Sequence, residues 1–266
     1  MKIRLIGAGW LLAATAIAGS KCPPYSANVV GCVTIMVPPS NQVVMVASSF
    51  EPIFGKGART LLDVFGRSSG LRKSDDPRKA DRVYVWDNEK AHYLVVCQGE
   101  DGIFYEASAG LMPTNPVVPR GCGLMIQSPS AEFGGTNATK LTLSGQVPTD
   151  PTHATDMSAV PSASAHQMML GNPYPVQKSL NELINTTNGA TAGATPATCD
   201  KVFLWDAASQ HYTILGLKSP MNVWRDVLAW DGTDTRDYTI APGQGFWFHA
   251  QGTNVTWTET KSYKFP

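Results

Sequence analysis

The chain lacks an excess of charge of either sign. Its 266 residues carry 21 Lys and Arg against 21 Asp and Glu, and loss of Lys2 and Arg4 with the first eighteen residues would leave 19 basic side chains. Proteins that bind DNA or RNA cluster Lys and Arg to neutralise phosphates. The composition therefore predicts no nucleic-acid partner.

The chain also lacks the residue spacings of common metal and phosphate sites. Its five cysteines include no Cys-x-x-Cys pair and fit no zinc-ligand spacing. Its Gly-x-Gly segments are too short for a dinucleotide or phosphate loop, which also needs a following helix. We therefore predict no metal and no cofactor. If the chain is exported, an odd number of cysteines leaves at least one thiol unpaired or bonded between molecules.

Long hydrophobic runs are missing after the first eighteen residues. Within them, Lys2 and Arg4 precede fourteen mostly apolar residues that end in Ala16-Ile17-Ala18. This order is typical of a secretory signal peptide, and about 20 residues would be needed to span a bilayer. A retained membrane anchor is the alternative. We predict a signal peptide over residues 1–18, a secreted or cell-surface bacterial product, and no transmembrane segment in the mature chain.

One unit of sequence occurs twice. Residues 60–93 and 179–212 align without a gap at an offset of 119, so that Val83-Tyr84-Val85-Trp86-Asp87 returns as Val202-Phe203-Leu204-Trp205-Asp206. Further on, residues 118–126 match residues 240–248 at an offset of 122, each with a Gly-x-Gly turn before three apolar residues. In such turns glycine allows positive φ and close backbone approach. Residues repeated in both halves are better explained as parts of the fold than as one catalytic site.

The pattern within each unit predicts short strands and one short helix. Apolar and polar residues alternate before Asp87 and Asp206, and strands return from both turns, which indicates two hairpins. Thr60 with Asp63, and Ser179 with Glu182, have the capping-box spacing of a helix start.

We predict an all-β fold of two tandem β-sandwich or barrel-like units at residues 19–147 and 166–266, joined by an exposed linker at 148–165. One closed domain with internal pseudo-symmetry is the alternative. A first strand at residues 29–37 has no clear counterpart in the second unit.

At these residues the chain resembles a widespread type of secreted bacterial surface β-domain, often found in tandem. The resemblance covers most of residues 43–147 and 167–260. It is clearest in Asn172-Pro173, Trp205-Asp206 and the segment 242–248, whereas Arg120, Cys122 and Leu124 depart from the pattern. The resemblance implies an exported structural or surface-associated protein and supplies no catalytic residues.

His92 and His211 are candidates for acid–base chemistry, because each follows an aspartate by five residues in a predicted hairpin. Asp87 or Asp206 could then lie opposite the histidine, as a hydrolase would require. One His and one Asp make only half of a metal site, and no third ligand repeats. A turn-forming aspartate and a paired strand residue explain the same pattern, and this structural interpretation is favoured.

Tryptophans beside carboxylates are candidates for sugar binding. Trp224 and Trp230 lie close to Asp226 and Asp231, and exposed indole rings form platforms on which sugars stack. Buried tryptophans are also common in β-sandwiches. We predict a non-enzymatic structural or adhesive protein of the cell envelope or extracellular matrix, which self-associates or binds envelope polysaccharide. The alternative is a lectin-like carbohydrate-binding module that uses the two tryptophans.

Overall fold

The computed structural model describes residues 29–53, 59–67, 70–88, 90–108, 112–156, 167–232, 236–251 and 256–264. The signal peptide predicted at residues 1–18 lies outside these ranges. The fold is all-β, as the sequence predicts, and is built from antiparallel sheets with very short helices. No helix within the described ranges has the length and apolar content to cross a bilayer.

The first half forms a six-stranded sheet and a two-stranded sheet. The larger, here called the first sheet, has the order β2-β7-β3-β4-β5-β6, and β1 pairs with β8 beside it. The elements are β1 (Val30–Val37), β2 (Val43–Ala47), α1 (Leu61–Phe65), β3 (Arg82–Asp87), β4 (His92–Gln98), β5 (Phe104–Glu106), β6 (Met112–Pro113), β7 (Gly123–Gln127) and β8 (Thr139–Gln146), with a 3₁₀ turn at Ala131–Phe133.

The second half forms a five-stranded sheet with the matching order β10-β16-β12-β13-β14, here called the second sheet. Two small sheets accompany it, one pairing β11 with β15 and one pairing β9 with β17. The elements are β9 (Thr152–Asp156), β10 (Gln167–Gly171), β11 (Lys178–Ser179), α2 (Leu180–Leu183), β12 (Lys201–Asp206), β13 (His211–Lys218), β14 (Val223–Asp226), β15 (Thr239–Ile240), β16 (Gly245–His249) and β17 (Thr256–Thr260), with 3₁₀ turns at Thr186–Asn188 and Val227–Ala229.

The two predicted hairpins are confirmed. Asp87 lies opposite His92 in the β3–β4 ladder, and Asp206 lies opposite His211 in the β12–β13 ladder. Alternation along each strand turns valine side chains into the core, where Val83 and Val202 are fully buried.

The two short helices begin differently. Thr60 and Asp63 form the predicted capping box, with the Thr60 N–H donating to Asp63 Oδ2 over 2.8 Å. At α2 the Ser179 hydroxyl accepts from the Asn181 N–H over 3.2 Å, and Glu182 takes no part in that cap.

A buried aspartate closes the long loop before each hairpin. Asp81 Oδ2 accepts from the Arg72 N–H over 2.7 Å, and Asp200 Oδ2 accepts from the Thr191 N–H over 2.7 Å. Both aspartates are fully buried, and each also donates its own N–H to the carbonyl of the same loop residue. The two loops share little sequence beyond one glycine and one proline, yet the same carboxylate position fixes both to the core.

The predicted linker is wrong in its first half, because residues 152–156 form β9. This strand pairs with β17 as β1 pairs with β8, so the first strand does have a counterpart. The strand was missed because it carries no apolar alternation: His153 and Thr155 are half-buried, whereas Thr152 and Ala154 are exposed. Residues 157–166 lie outside the described ranges.

The two sheets are joined by pairs of equivalent contacts, in which each half of the chain makes to the other the contact that it also receives. Val46 forms a bridge with Gln244, and Leu170 forms the matching bridge with Cys122. The same exchange holds for backbone hydrogen bonds, since the Ala47 N–H donates to Gly243 O over 2.7 Å and the Gly171 N–H donates to Gly121 O over 2.9 Å. Apart from this junction, each sheet packs on its own cluster of buried apolar side chains. The members of the first cluster come from residues 37–143, and those of the second come from residues 170–257.

Candidate functional site

The two tryptophans proposed for sugar stacking are buried, so the expectation that they form an exposed platform is wrong. Trp224 is 1% exposed and Trp230 is 8% exposed. Their indole N–H groups donate to Ile184 O over 2.7 Å and to Ala194 O over 3.0 Å. An indole ring can be buried without cost to its one N–H donor when a carbonyl lies within hydrogen-bond distance. Both rings have such a carbonyl here.

The two aspartates beside them do not converge on a common point. Asp226 Oδ1 accepts from the Leu228 N–H over 2.9 Å and so caps the short 3₁₀ turn. Asp231 is exposed and lies 3.6 Å from the Lys218 ammonium group. The four residues therefore do not form a ligand-binding platform in this structure.

The aspartates of the two hairpins hold their own turns. Asp87 Oδ1 accepts from the Lys90 N–H over 3.0 Å. Asp206 accepts from Ser209 Oγ over 2.8 Å, and this hydroxyl, as the largest cause, lowers the pKa of the Asp206 carboxyl. His211 Nδ1 contacts the Ser209 carbonyl, and His211 is exposed. These contacts agree with the structural interpretation of both Asp–His pairs.

The cysteines offer no activated nucleophile among the residues that are described. Cys32, Cys97, Cys122 and Cys199 are free thiols, of which Cys32 is exposed. Burial raises the pKa of the Cys122 thiol to about 12, which keeps it protonated at neutral pH. Cys22 lies outside the described ranges.

One segment has the residue spacing of a hydrolase nucleophile turn. Residues 66–70 read Gly-Arg-Ser-Ser-Gly, the Gly-x-Ser-x-Gly order of a nucleophile elbow. Such an elbow follows a strand and opens a helix, whereas Gly66 here ends helix α1. The central Ser68 lies outside the described ranges, so the segment carries no catalytic assignment.

A polar cleft of about 660 Å³ lies beside β17. Its wall includes Lys178 and Glu259, which form a buried ion pair, together with Glu182, Asn185 and the threonines of β17. Burial raises the pKa of the Glu259 carboxyl, although the Lys178 ammonium opposes this shift. The ion pair links β11 to β17 and so has a structural role.

A second charged cluster surrounds Arg120, whose side chain is 5% exposed. Its guanidinium lies 2.5 Å from Glu51 Oε1 and 2.6 Å from Asp150 Oδ2, and it stacks 5.3 Å from the Tyr174 ring centre. Arg120 Nη2 donates a hydrogen bond to His153 Nδ1 over 2.9 Å, while His153 Nε2 lies 3.1 Å from the Arg120 carbonyl. Burial, then the Arg120 charge, lowers the pKa of His153, so the ring is neutral.

Strand β1 carries exposed apolar side chains along one face. Val30 is 58% exposed and Met36 is 53% exposed, and Cys32 and Thr34 lie on the same outward face. Residues 29–37 carry no charged side chain. Of the strands in the described ranges, β8 is the one that pairs with β1.

Known proteins add no assignment to these features. No family model matches the chain, and no curated protein matches it. Within the described ranges, no three His, Cys, Asp or Glu side chains converge as metal ligands.

Proposed function

We propose that this chain is an exported, non-enzymatic protein of a bacterial cell envelope or extracellular matrix, which assembles with further copies of itself through β1. The observation that supports the proposal is the eight-residue apolar strand β1, with Val30, Cys32 and Met36 exposed. Export is inferred from the residue pattern before Gly19, and the bacterial surface from the resemblance.

An uncharged edge strand favours pairing with another chain. Its main-chain N–H and C=O groups can form a ladder with a second strand, and most proteins prevent this with Lys, Pro or a bulge. Residues 29–37 contain none of the charges or prolines that would block pairing. Antiparallel pairing of β1 with β1 of a second copy needs no other partner, and it would cover Val30 and Met36. It would also bring two Cys32 thiols to one interface.

The polar groups with catalytic potential have structural tasks, which supports the non-enzymatic part of the proposal. Asp87 and Asp206 hold turns, Asp81 and Asp200 close loops, and Glu259 pairs with Lys178.

We further propose that the two halves arose by duplication of one unit. Three relationships support this: the sequence repeat, the common strand order of the two sheets, and the bridges that occur in both directions at the junction. On this basis the first unit runs from β1 to β8 and the second from β9 to β17.

Light scattering tests the assembly on a chain that begins at Gly19. We expect a monomer–dimer equilibrium in which the dimer fraction rises with protein concentration, because β1–β1 pairing uses the same edge of both copies. Thr34→Lys places a charge on the outward face of β1 and should shift the chain toward monomer. Thr152→Lys, on the outward face of the matching strand β9, should leave the dimer fraction unchanged.

Reductant and Cys32→Ser separate strand pairing from disulfide linkage. Assembly that persists with reductant and in Cys32→Ser but fails in Thr34→Lys supports pairing through β1. A monomer at every concentration would contradict the proposal, as would a disulfide dimer that Thr34→Lys leaves intact.

A further inference from the structure

A cavity of about 340 Å³ lies where β9 and β10 meet the turn before β7. Trp86, Met168 and Met169 form an apolar part of its wall, and Arg120, His153 and Thr155 form a polar part. Small-molecule sites have this volume range and this combination of an apolar wall with a few polar groups.

Three residues of this wall each carry one side-chain atom that has no hydrogen-bond partner within the described part of the chain. The atoms are Asn88 Oδ1, Arg120 Nε and Thr155 Oγ1, and each is buried. A buried polar atom without a partner costs about 1–3 kcal/mol, so most native structures satisfy such atoms. One donor, one acceptor and one hydroxyl around a single cavity indicate that a polar partner belongs there.

The charges around Arg120 disfavour an anion as that partner. Glu51 and Asp150 already neutralise the guanidinium, and together they leave one net negative charge beside it. His153 adds no positive charge because its Nδ1 accepts a hydrogen bond from Arg120. An incoming carboxylate or phosphate would meet two carboxylates and one compensated cation. A neutral group can still accept from Arg120 Nε–H.

The matching position in the second half lacks this polar set. Arg120 aligns with Pro242, and Asn88 aligns with Ala207. His153 approaches Gly121 from β9, whereas from β1 it is Val33 that approaches Gly243. The second half therefore forms the same turn, with the same contact from a neighbouring strand, although it lacks these polar groups. Their presence on one side needs a reason other than folding.

We propose that this cavity binds a small, neutral, hydroxylated molecule of the size of one sugar ring. A hydroxyl oxygen can accept from Arg120 Nε–H while another hydroxyl donates to Asn88 Oδ1. The C–H face of the ring would pack on Trp86, Met168 and Met169. This site is independent of strand β1 and of the assembly proposed above.

The test follows the indole N–H of Trp86 and the Nε–H of Arg120 by NMR in the ¹⁵N-labelled mature chain. The probes are neutral methyl glycosides, the sodium salt of the methyl glycoside of glucuronic acid (here called glucuronate) as the charged counterpart, and sodium acetate. We expect at least one neutral glycoside to shift both resonances with saturation. Glucuronate should bind about tenfold more weakly, because one unfavourable charge contact costs on the order of 1.4 kcal/mol.

Two substitutions on β9 provide the control for location. Ala154 is exposed at the rim of the cavity, so Ala154→Trp should abolish the shifts. Thr152 lies two residues away on the same exposed face and outside the cavity wall, so Thr152→Trp should keep them. Thr155→Val removes one hydroxyl at nearly constant volume and should weaken binding about five- to tenfold.

Three results would overturn the proposal. One is the lack of a saturating shift with every neutral glycoside, and another is equal binding of glucuronate and its neutral parent. The third is unchanged binding in Ala154→Trp when its amide spectrum shows a folded chain.

Discussion

Trp86 and Trp205 make the same hydrogen bond in opposite directions across the junction of the two sheets. The Trp86 indole N–H donates to Gln167 O on β10 over 3.1 Å, and the Trp205 indole N–H donates to Val43 O on β2 over 2.8 Å. Each sheet thus holds the edge strand of the other. The repeated Trp-Asp pair of the sequence has this task in addition to its place in a hairpin.

The two tryptophans should therefore contribute similarly to stability. Trp86→Phe and Trp205→Phe each remove one indole donor across the junction, although Val43 O keeps a second donor in Gln210 Nε2. We expect each to lower the free energy of unfolding by about 1–2 kcal/mol in urea denaturation. A large loss from one substitution with none from the other would contradict the equivalence of the two contacts.

The second glycine of each Gly-x-Gly turn should not tolerate a side chain. A Cβ on Gly123 would lie 2.8 Å from Leu170 O, and one on Gly245 would lie 2.4 Å from Val46 O. Both contacts are with backbone across the junction, which cannot move aside as a flexible side chain can. Gly123→Ala and Gly245→Ala should each cost about 1–3 kcal/mol in thermal or urea unfolding.

Gly232→Ala is the control for these two substitutions. The nearest atom to its added Cβ is Ala229 O at 3.2 Å. We expect a change within about 0.5 kcal/mol, the range of ordinary surface substitutions. Equal losses at Gly232 and Gly123 would contradict close approach as the cause of the cost at Gly123, because the backbone entropy of Gly→Ala by itself favours the folded state.

The buried carboxyl of Asp81 should make stability depend on pH. Burial raises its pKa, although the Arg72 N–H opposes this. The folded chain then holds this proton more tightly than the unfolded chain, whose aspartates titrate near about 3.9. The stabilisation from Asp81 is therefore complete below that pH and is lost as pH rises through the folded pKa.

Asp81→Asn tests this dependence because it stays neutral at every pH. Its amide oxygen can still accept from the Arg72 N–H, as Asp81 Oδ2 does. We expect the variant to gain stability relative to the parent as pH rises from 3.5 to 7, measured by urea unfolding. Asp206→Asn should show the opposite trend, because the pKa of Asp206 is lowered. A pH-independent difference for Asp81→Asn would contradict the burial of this charge.

Trp224 should behave as a core residue rather than as a binding residue. Trp224→Ala removes a fully buried ring and its hydrogen bond to Ile184 O, and it should cost about 3–5 kcal/mol. Leu228 lies four residues away and is 96% exposed, so Leu228→Ala should be neutral within about 0.5 kcal/mol. A stable Trp224→Ala chain would contradict the packing described here.

The parts of the fold that local chemistry determines could be predicted from the sequence. The hairpins follow from alternating valines and a turn-forming aspartate, and the turns before β7 and β16 follow from glycine, with φ of +80° at Gly121 and +75° at Gly243. Strand β9 could not be predicted, because its half-buried residues face a polar cluster and leave no apolar period.

The burial of Trp224 and Trp230 could not be predicted from their charged neighbours. Indole needs only one carbonyl to enter a core, and the carbonyls of Ile184 and Ala194 come from segments about 40 residues distant in sequence. The cavity at the junction draws Asn88, Arg120 and Thr155 from three separate segments. Its one signal in the sequence was that Arg120 departs from the repeated pattern.

The two-way contacts at the junction resemble the isologous interface of a homodimer, in which every substitution appears on both sides. Here the two sides belong to one chain, so a substitution enters the interface once. One side can keep Pro242 and Val33 while the other acquires Arg120 and His153. Covalent fusion thus frees half of a symmetric interface to change its chemistry while the other half continues to hold the molecule together.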